Sequence, residues 1–163
     1  MRIHLVAVLT LAVFVAACSP PPARTPAQTK PCVNATAAHH AYVVVEHLSG
    51  GTFQRCVGFD SATIDGESLM DQSGVQYTAR TLSSGDAVCQ VDNEPKQVTE
   101  CSTQNQPYWA LFLETQGVWA GSTTAFTEAS LHDGDALGWR YVAAAGPSPA
   151  PPPLARPVAS SGA

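Results

Sequence analysis

Four cysteines, Cys32, Cys56, Cys89 and Cys101, constrain this chain more than any other feature. They follow the start "MRIHLVAVLTLAVFVAAC", in which Arg2 precedes an apolar run from Leu5 to Ala17. That run is short for a bilayer span and has the length and flanks of a secretory signal. An even cysteine count in an exported chain reads as disulfides. Three pairings are possible. Cys32–Cys56 with Cys89–Cys101 is preferred, because each pair then brackets a hairpin or loop. Closing the polar segment "QVDNEPKQVTE" through Cys89–Cys101 stabilises by about 3 kcal/mol in the chain-entropy model. A zinc site is the rival, but the spacings are far from CxxC and no His stands with them at ligand spacing.

The signal ends in "VAAC", residues 15–18. This resembles the lipobox of bacterial lipoproteins. The resemblance implies cleavage after residue 17 and lipidation (a palmitate-type anchor) at Cys18. Two acyl signals on one residue hold a chain at a membrane without a spanning helix. "SPPPARTPAQTKP" (19–31) has almost no large apolar side chain and reads as a Pro-rich tether over 18–31. Residues 144–163, with "GPSPAPPPLARPVASSGA", read as a disordered Pro/Ala-rich tail. The folded domain is therefore expected at 32–143. The formal charge is −5. Losing residues 1–17 removes one charged side chain, Arg2, and makes it −6. Such a surface argues against nucleic acid and against electrostatic attraction to anionic lipid.

Within the domain, "AYVVVEH" (41–47) is a continuous β-branched run, predicted as a strand covered on both sides. "LSGG" turns the chain, and "TFQRCVGF" (52–59) returns, with Phe53, Arg55, Val57 and Phe59 on one face. "SATIDGESLMDQSG" (61–74) predicts a short helix. Thr63 is its expected cap, Asp65 and Glu67 suit its positive end, and Gly74 ends it. Ile64, Leu69, Met70 and Ser73 make its buried face, while Gly66 argues against helix. Strands follow at 75–81, 86–92, 108–114, 118–120 and 136–142. The sum is α+β, with one short helix on one face of the sheet and two disulfides.

All three tryptophans lie between Trp109 and Trp139. In strand 108–114, Trp109, Leu111 and Leu113 share one face, and Tyr108, Ala110, Phe112 and Glu114 the other. Large rings with a polar tip suit binding surfaces as well as cores. Trp119, beside a turn, is the expected exposed ring, and Trp139 the expected core ring. His39 and His40 read as a solvated pair. His132, Asp133 and Asp135 read as turn chemistry, with too few carboxylates for calcium. Asn34-Ala35-Thr36 matches a glycosylation sequon, here treated as chance. No GxSxG, HExxH, P-loop or paired-carboxylate pattern is present. The expectation is accordingly a protein that is not an enzyme, with no catalytic residue, no resident cofactor and no metal.

The stretches "SLMDQSG", "CQVD", "PYW" and "DGDALGWRY" together resemble the transcobalamin C-terminal-like domain over about residues 32–142. The resemblance implies a β-grasp-like fold of the soluble-ligand-binding type, a mixed sheet wrapped across one helix, and some of its secreted members share a paired-cysteine layout that supports the preferred pairing. It implies a corrinoid or similar flat ligand, placed here on Tyr108, Trp109 and Trp119. There are two departures. Members often carry "NG" where this chain has "LETQG", and the large helical domain that completes a corrinoid site in transcobalamin has no counterpart here. The expected function is a lipid-anchored module of the cell envelope, on its extracytoplasmic face, that binds a small molecule and passes it to an envelope protein or transporter. The alternative is a protein–protein module, a protease inhibitor or assembly factor presenting the 89–101 loop.

Overall fold

The run Ala41–Val45 has no exposed residue, and the computed structural model shows why. It describes residues 28–29, 31–82, 85–98, 101, 106–144 and 148–154. In chain order the elements are β1 (Gln28–Thr29), β2 (His39–Glu46), β3 (Thr52–Phe59), β4 (Ile64–Asp65), α1 (Gly66–Ser73), β5 (Tyr77–Leu82), β6 (Gly85–Val91), β7 (Tyr108–Thr115), β8 (Val118–Gly121), a 3-10 turn at Phe126–Glu128, β9 (Ser130–Leu131) and β10 (Ala136–Val142). The main sheet has the order β1-β3-β2-β10-β7-β8. β2 and β10 are parallel neighbours at its centre, with Tyr42 opposite Ala136 and Glu46 opposite Arg140. β2–β3, β10–β7 and β7–β8 are antiparallel. The fold is α+β, a β-grasp-like mixed sheet with one short helix. β5 and β6 form a separate hairpin, and β4 and β9 a two-residue pair.

The first face of the sheet carries the main core. Val43, Val45, Val57, Phe59, Leu137 and Trp139 meet Leu69 and Met70 of α1 and Phe126 of the 3-10 turn. Phe126 lies edge-on to Trp139 at 5.9 Å and to Tyr77 at 5.7 Å. The Trp139 indole N–H points at Met70 Sδ, 3.3 Å away. Trp109, Leu111 and Leu113 also project to this side, as alternation predicts.

Both disulfides form as preferred, Cys32–Cys56 and Cys89–Cys101. They fit an oxidising compartment. Among the described residues no helix is long and apolar enough to cross a membrane.

Three sequence expectations need correction. The helix cap is Asp65, not Thr63. Ile64 and Asp65 first pair with Leu131 and Ser130, so the helix starts two residues later than Thr63 would place it. Asp65 Oδ1 accepts the Ser68 amide at 2.8 Å, and Oδ2 accepts the Ser68 hydroxyl at 2.7 Å. The helix end is as expected, with Gly74 in the left-handed region at φ 68°. The Pro-rich arms are the second correction. Gln28–Thr29 of the tether pair with Phe53–Gln54, and in the tail Ala150, Pro152 and Leu154 contact the second face of the sheet. Proline rings bury apolar area while losing little conformational entropy, so a Pro-rich segment can dock where a flexible one would not. The signal peptide, Cys18, residues 19–27 and 30 of the tether, and residues 145–147 and 155–163 of the tail lie outside the described residues.

The third correction concerns Trp119. Gln116 (φ 53°) and Gly117 (φ 86°) make a two-residue turn between β7 and β8. Consecutive positive φ values define the tight hairpin that fixes register. Trp119 thus falls opposite Glu114, on the second face, and is half-buried instead of exposed.

Candidate functional site: a ring-lined cleft

β8 is shorter than β7, and this mismatch opens the site. The ladder ends where Ser122 N–H donates to Leu111 O at 2.9 Å. The chain then leaves for the 3-10 turn. The edge of β7 from Tyr108 to Ala110 has no neighbouring strand among the described residues. The β5–β6 hairpin stands opposite, with Cys89 and Cys101 in its wall. Between them lies an open cleft of about 800 Å³. Ligand pockets commonly hold about 300–1,000 Å³.

Six rings line it: Tyr108, Trp109, Phe112, Phe126, Trp139 and Tyr141. Tyr108 is 43% exposed and the most accessible of them. Trp109 is 7% exposed; its indole N–H donates to Glu94 O at 2.9 Å, and its ring packs on Tyr141 at 5.0 Å. Trp109 therefore forms the wall and serves the core at the same time. Tyr141 is held protonated beyond the usual phenol range, by burial first and by the Glu94 carboxylate second. Its hydroxyl remains able to donate a hydrogen bond. Asp86 brings a carboxylate to the rim, with Oδ1 accepting from Thr81 at 2.7 Å and Oδ2 from Thr127 at 3.4 Å. The lining thus mixes aromatic side chains with polar groups.

The structure brings Tyr108 and Trp109 together at this cleft. It does not bring Trp119, whose ring lies on the second face over Gly138. The remaining residues singled out in the sequence have structural partners. His39 packs on Phe59 at 5.6 Å, and His40 Nε2 lies 3.3 Å from Ala35 O. Asp133 Oδ1 accepts the His40 amide at 2.8 Å, and Asp135 Oδ2 accepts the His132 amide at 2.8 Å. Asn34 donates to Gly58 O at 3.4 Å. Among the described residues no cluster of three His, Cys, Asp or Glu side chains is placed to hold a metal ion.

Sequence reasoning missed His47. Its Nδ1 lies 2.7 Å from Glu94 Oε2, and its Nε2 lies 3.4 Å from Asp92 Oδ2. It fastens the turn after β6 to the end of β2, and its ring stands edge-on to Trp109 at 5.9 Å. The turn it holds leads into the cleft wall at Pro95. A histidine closing an apolar strand gave no hint of partners 45 and 47 residues away.

No family model matches the chain, and no curated protein matches it. Among solved structures it is similar to a protein from Ruminococcus gnavus described as a "putative metal binding protein". The two share 19% identity over 64% of this chain and 97% of that one, with a TM-score of 0.47.

Proposed function

We propose that the chain is a lipid-anchored binding module of the cell envelope that takes a small aromatic or flat molecule in the cleft beside β7. The observation that supports this is the combination of volume and lining: about 800 Å³, open to solvent, with six aromatic rings in its lining. Apolar pockets carrying a few placed polar groups are the usual form of small-molecule sites. Tyr108 would stack on the ligand, the Tyr141 hydroxyl would offer a hydrogen bond, and Trp109 would supply the wall. A corrinoid is the specific candidate, from the resemblance to transcobalamin C-terminal-like domains. In the absence of a helical partner domain, this cleft would cover one face of such a ligand, and a transporter or envelope protein would receive it. The anchor in this reading is Cys18.

The test is tryptophan fluorescence of the full chain titrated with cobalamin and then with a panel of flat cofactors, corrected for light absorbed by the ligand. The expected result is a saturable change that weakens roughly tenfold in Tyr108→Ala, the loss of one exposed stacking ring being worth about 1.4 kcal/mol. Tyr108→Ala is the informative variant because Trp109 is bound into the core. No change across the panel would refute the small-molecule reading and turn attention to a protein partner at the 89–101 loop. For the anchor, Cys18→Ser should move the protein from the membrane to the soluble fraction.

A further inference from the structure

The second face of the sheet is built around a missing side chain. Gly138 lies in β10 between Val44 of β2 and Phe112 of β7. A Cβ placed there would stand 2.6 Å from Trp119 Cζ3 and 2.8 Å from Pro152 Cγ. The indole from β8 and the pyrrolidine ring from the tail thus share the bare backbone of one glycine. Pro152 is buried. Beside this slot Arg140 donates from Nη1 to Ala150 O at 2.8 Å. Its Nη2 lies 3.2 Å from Oε1 of Glu46, a buried carboxylate that orients the guanidinium. Further along, Leu154 packs on the patch formed by Tyr42, Cys56 and Ala136.

Ser148, Ala150, Pro151 and Pro152 each precede a proline in "SPAPPPL". That neighbour restricts each to extended or polyproline II backbone, and the prolines fix their own φ. Such a segment makes no internal hydrogen bonds and offers every carbonyl outward. An aromatic plate for a proline ring, a side-chain donor for a carbonyl and an apolar seat for a flanking aliphatic residue are the chemistry that reads it. All three are present at residues 152, 150 and 154.

We propose that this face is a recognition groove for proline-rich segments, with a carbonyl, a proline and a leucine spaced as in Ala-Pro-Pro-Pro-Leu, and that the chain's own tail occupies it in competition with such a segment of a partner protein. The tail is joined to β10 by a few residues, so its local concentration is on the order of millimolar. A partner segment gains the groove when it is presented at comparable density or when the tail is released. The groove adjoins the cleft, because Ser148 and Pro149 of the same tail line the cleft's edge, but its contacts at residues 150, 152 and 154 are made outside the cleft.

The test uses the full chain with Pro151, Pro152 and Pro153 replaced by Ser, titrated calorimetrically with a synthetic peptide of sequence SPAPPPLAR. We expect saturable binding, at least tenfold weaker binding to the wild-type chain, and at least fivefold weaker binding when Arg140→Met is added. A peptide with its prolines replaced by alanine should not bind. If the triple variant fails to fold, Pro152→Ser alone takes its place. Absence of binding by a folded variant would overturn the proposal and leave the tail as a structural cover. A wild-type dimer by light scattering that dissociates in the tail variant would overturn it in favour of tail exchange between two copies.

Discussion

Replacing Gly66 by alanine should destabilise the protein, although helix propensity alone says the reverse. Alanine is better than glycine inside a helix by about 1 kcal/mol. Gly66 is the first residue of α1, and its amide donates to Ala129 O at 3.0 Å. A Cβ built on it would sit 2.1 Å from the Phe126 carbonyl oxygen and 3.1 Å from its carbon. These are backbone atoms and cannot rotate away. Relief requires the 3-10 turn to retreat by about 1 Å, loosening the Gly66–Ala129 hydrogen bond and the packing of Phe126 on Trp139 and Tyr77. Overpacking of this kind costs about 1–3 kcal/mol, and a weakened hydrogen bond adds about 1 kcal/mol. After the propensity gain, the net loss is about 2 kcal/mol. Urea unfolding of the disulfide-intact chain measures it. With a slope near 1.5 kcal/mol/M, the midpoint should fall by roughly 1 M. Gly121→Ala is the control, because nothing stands within 4 Å of its Cβ position. A Gly66→Ala midpoint equal to or above wild type would refute the reasoning.

Asp65 is held below the ordinary carboxylate range, first by the Ser68 amide and then by the Ser68 hydroxyl. Its contribution is therefore complete above the unfolded value near 3.9 and lost as pH falls through the folded one. Asp65→Ala should cost about 1 kcal/mol at pH 7 and less at pH 2, as read from melts at both. Tyr77 is pushed above its usual 10 by burial first, then by the bond it donates to Asp71 at 2.7 Å and by the charges of Asp71 and Glu67. Stability should fall as pH rises past about 10, and Tyr77→Phe should flatten that slope between pH 9 and 12. Trp109→Phe keeps an aromatic wall but removes the donor to Glu94 O, so a loss of at least about 1 kcal/mol is expected in urea. Cys89→Ser with Cys101→Ser should lower stability by about 3 kcal/mol and loosen the cleft wall, visible as faster amide exchange around β6.

The strands were the legible part of this chain. "TFQRCVGF" and "ALGWRYV" match β3 and β10 to the residue, because period and turn residues are local signals. The disulfide pairing was also within reach, since each bridge closes a short loop. Gly66 misled for a reason outside any local rule. It counted against the helix by propensity, yet it is there because another segment's backbone touches it. Trp119 misled in the same way. The slot that receives it is a glycine 19 residues further on, in a strand that is not its sheet neighbour. Tyr108 and Trp109 could be singled out as rings, but the cleft they line follows from β8 stopping short of β7, a matter of strand length. Glu46 and Arg140 gave no signal at all, because their pairing depends on the parallel register of β2 and β10.

The Cys32–Cys56 bridge also decides how the molecule responds to being pulled. Tension arriving along the N-terminal arm crosses from Cys32 directly into β3, through a covalent bond. Residues 33–55, including the whole of β2, lie inside the closed loop and carry none of that load while the bridge is oxidised. Leu154 meets the same Tyr42–Cys56–Ala136 patch that Cys32 does, so the tail packs beside the bridge. Reducing the bridge would release 24 residues of slack, about 80 Å of extended chain. A load that the oxidised domain passes through a single bond would then unravel the hairpin at the centre of its sheet.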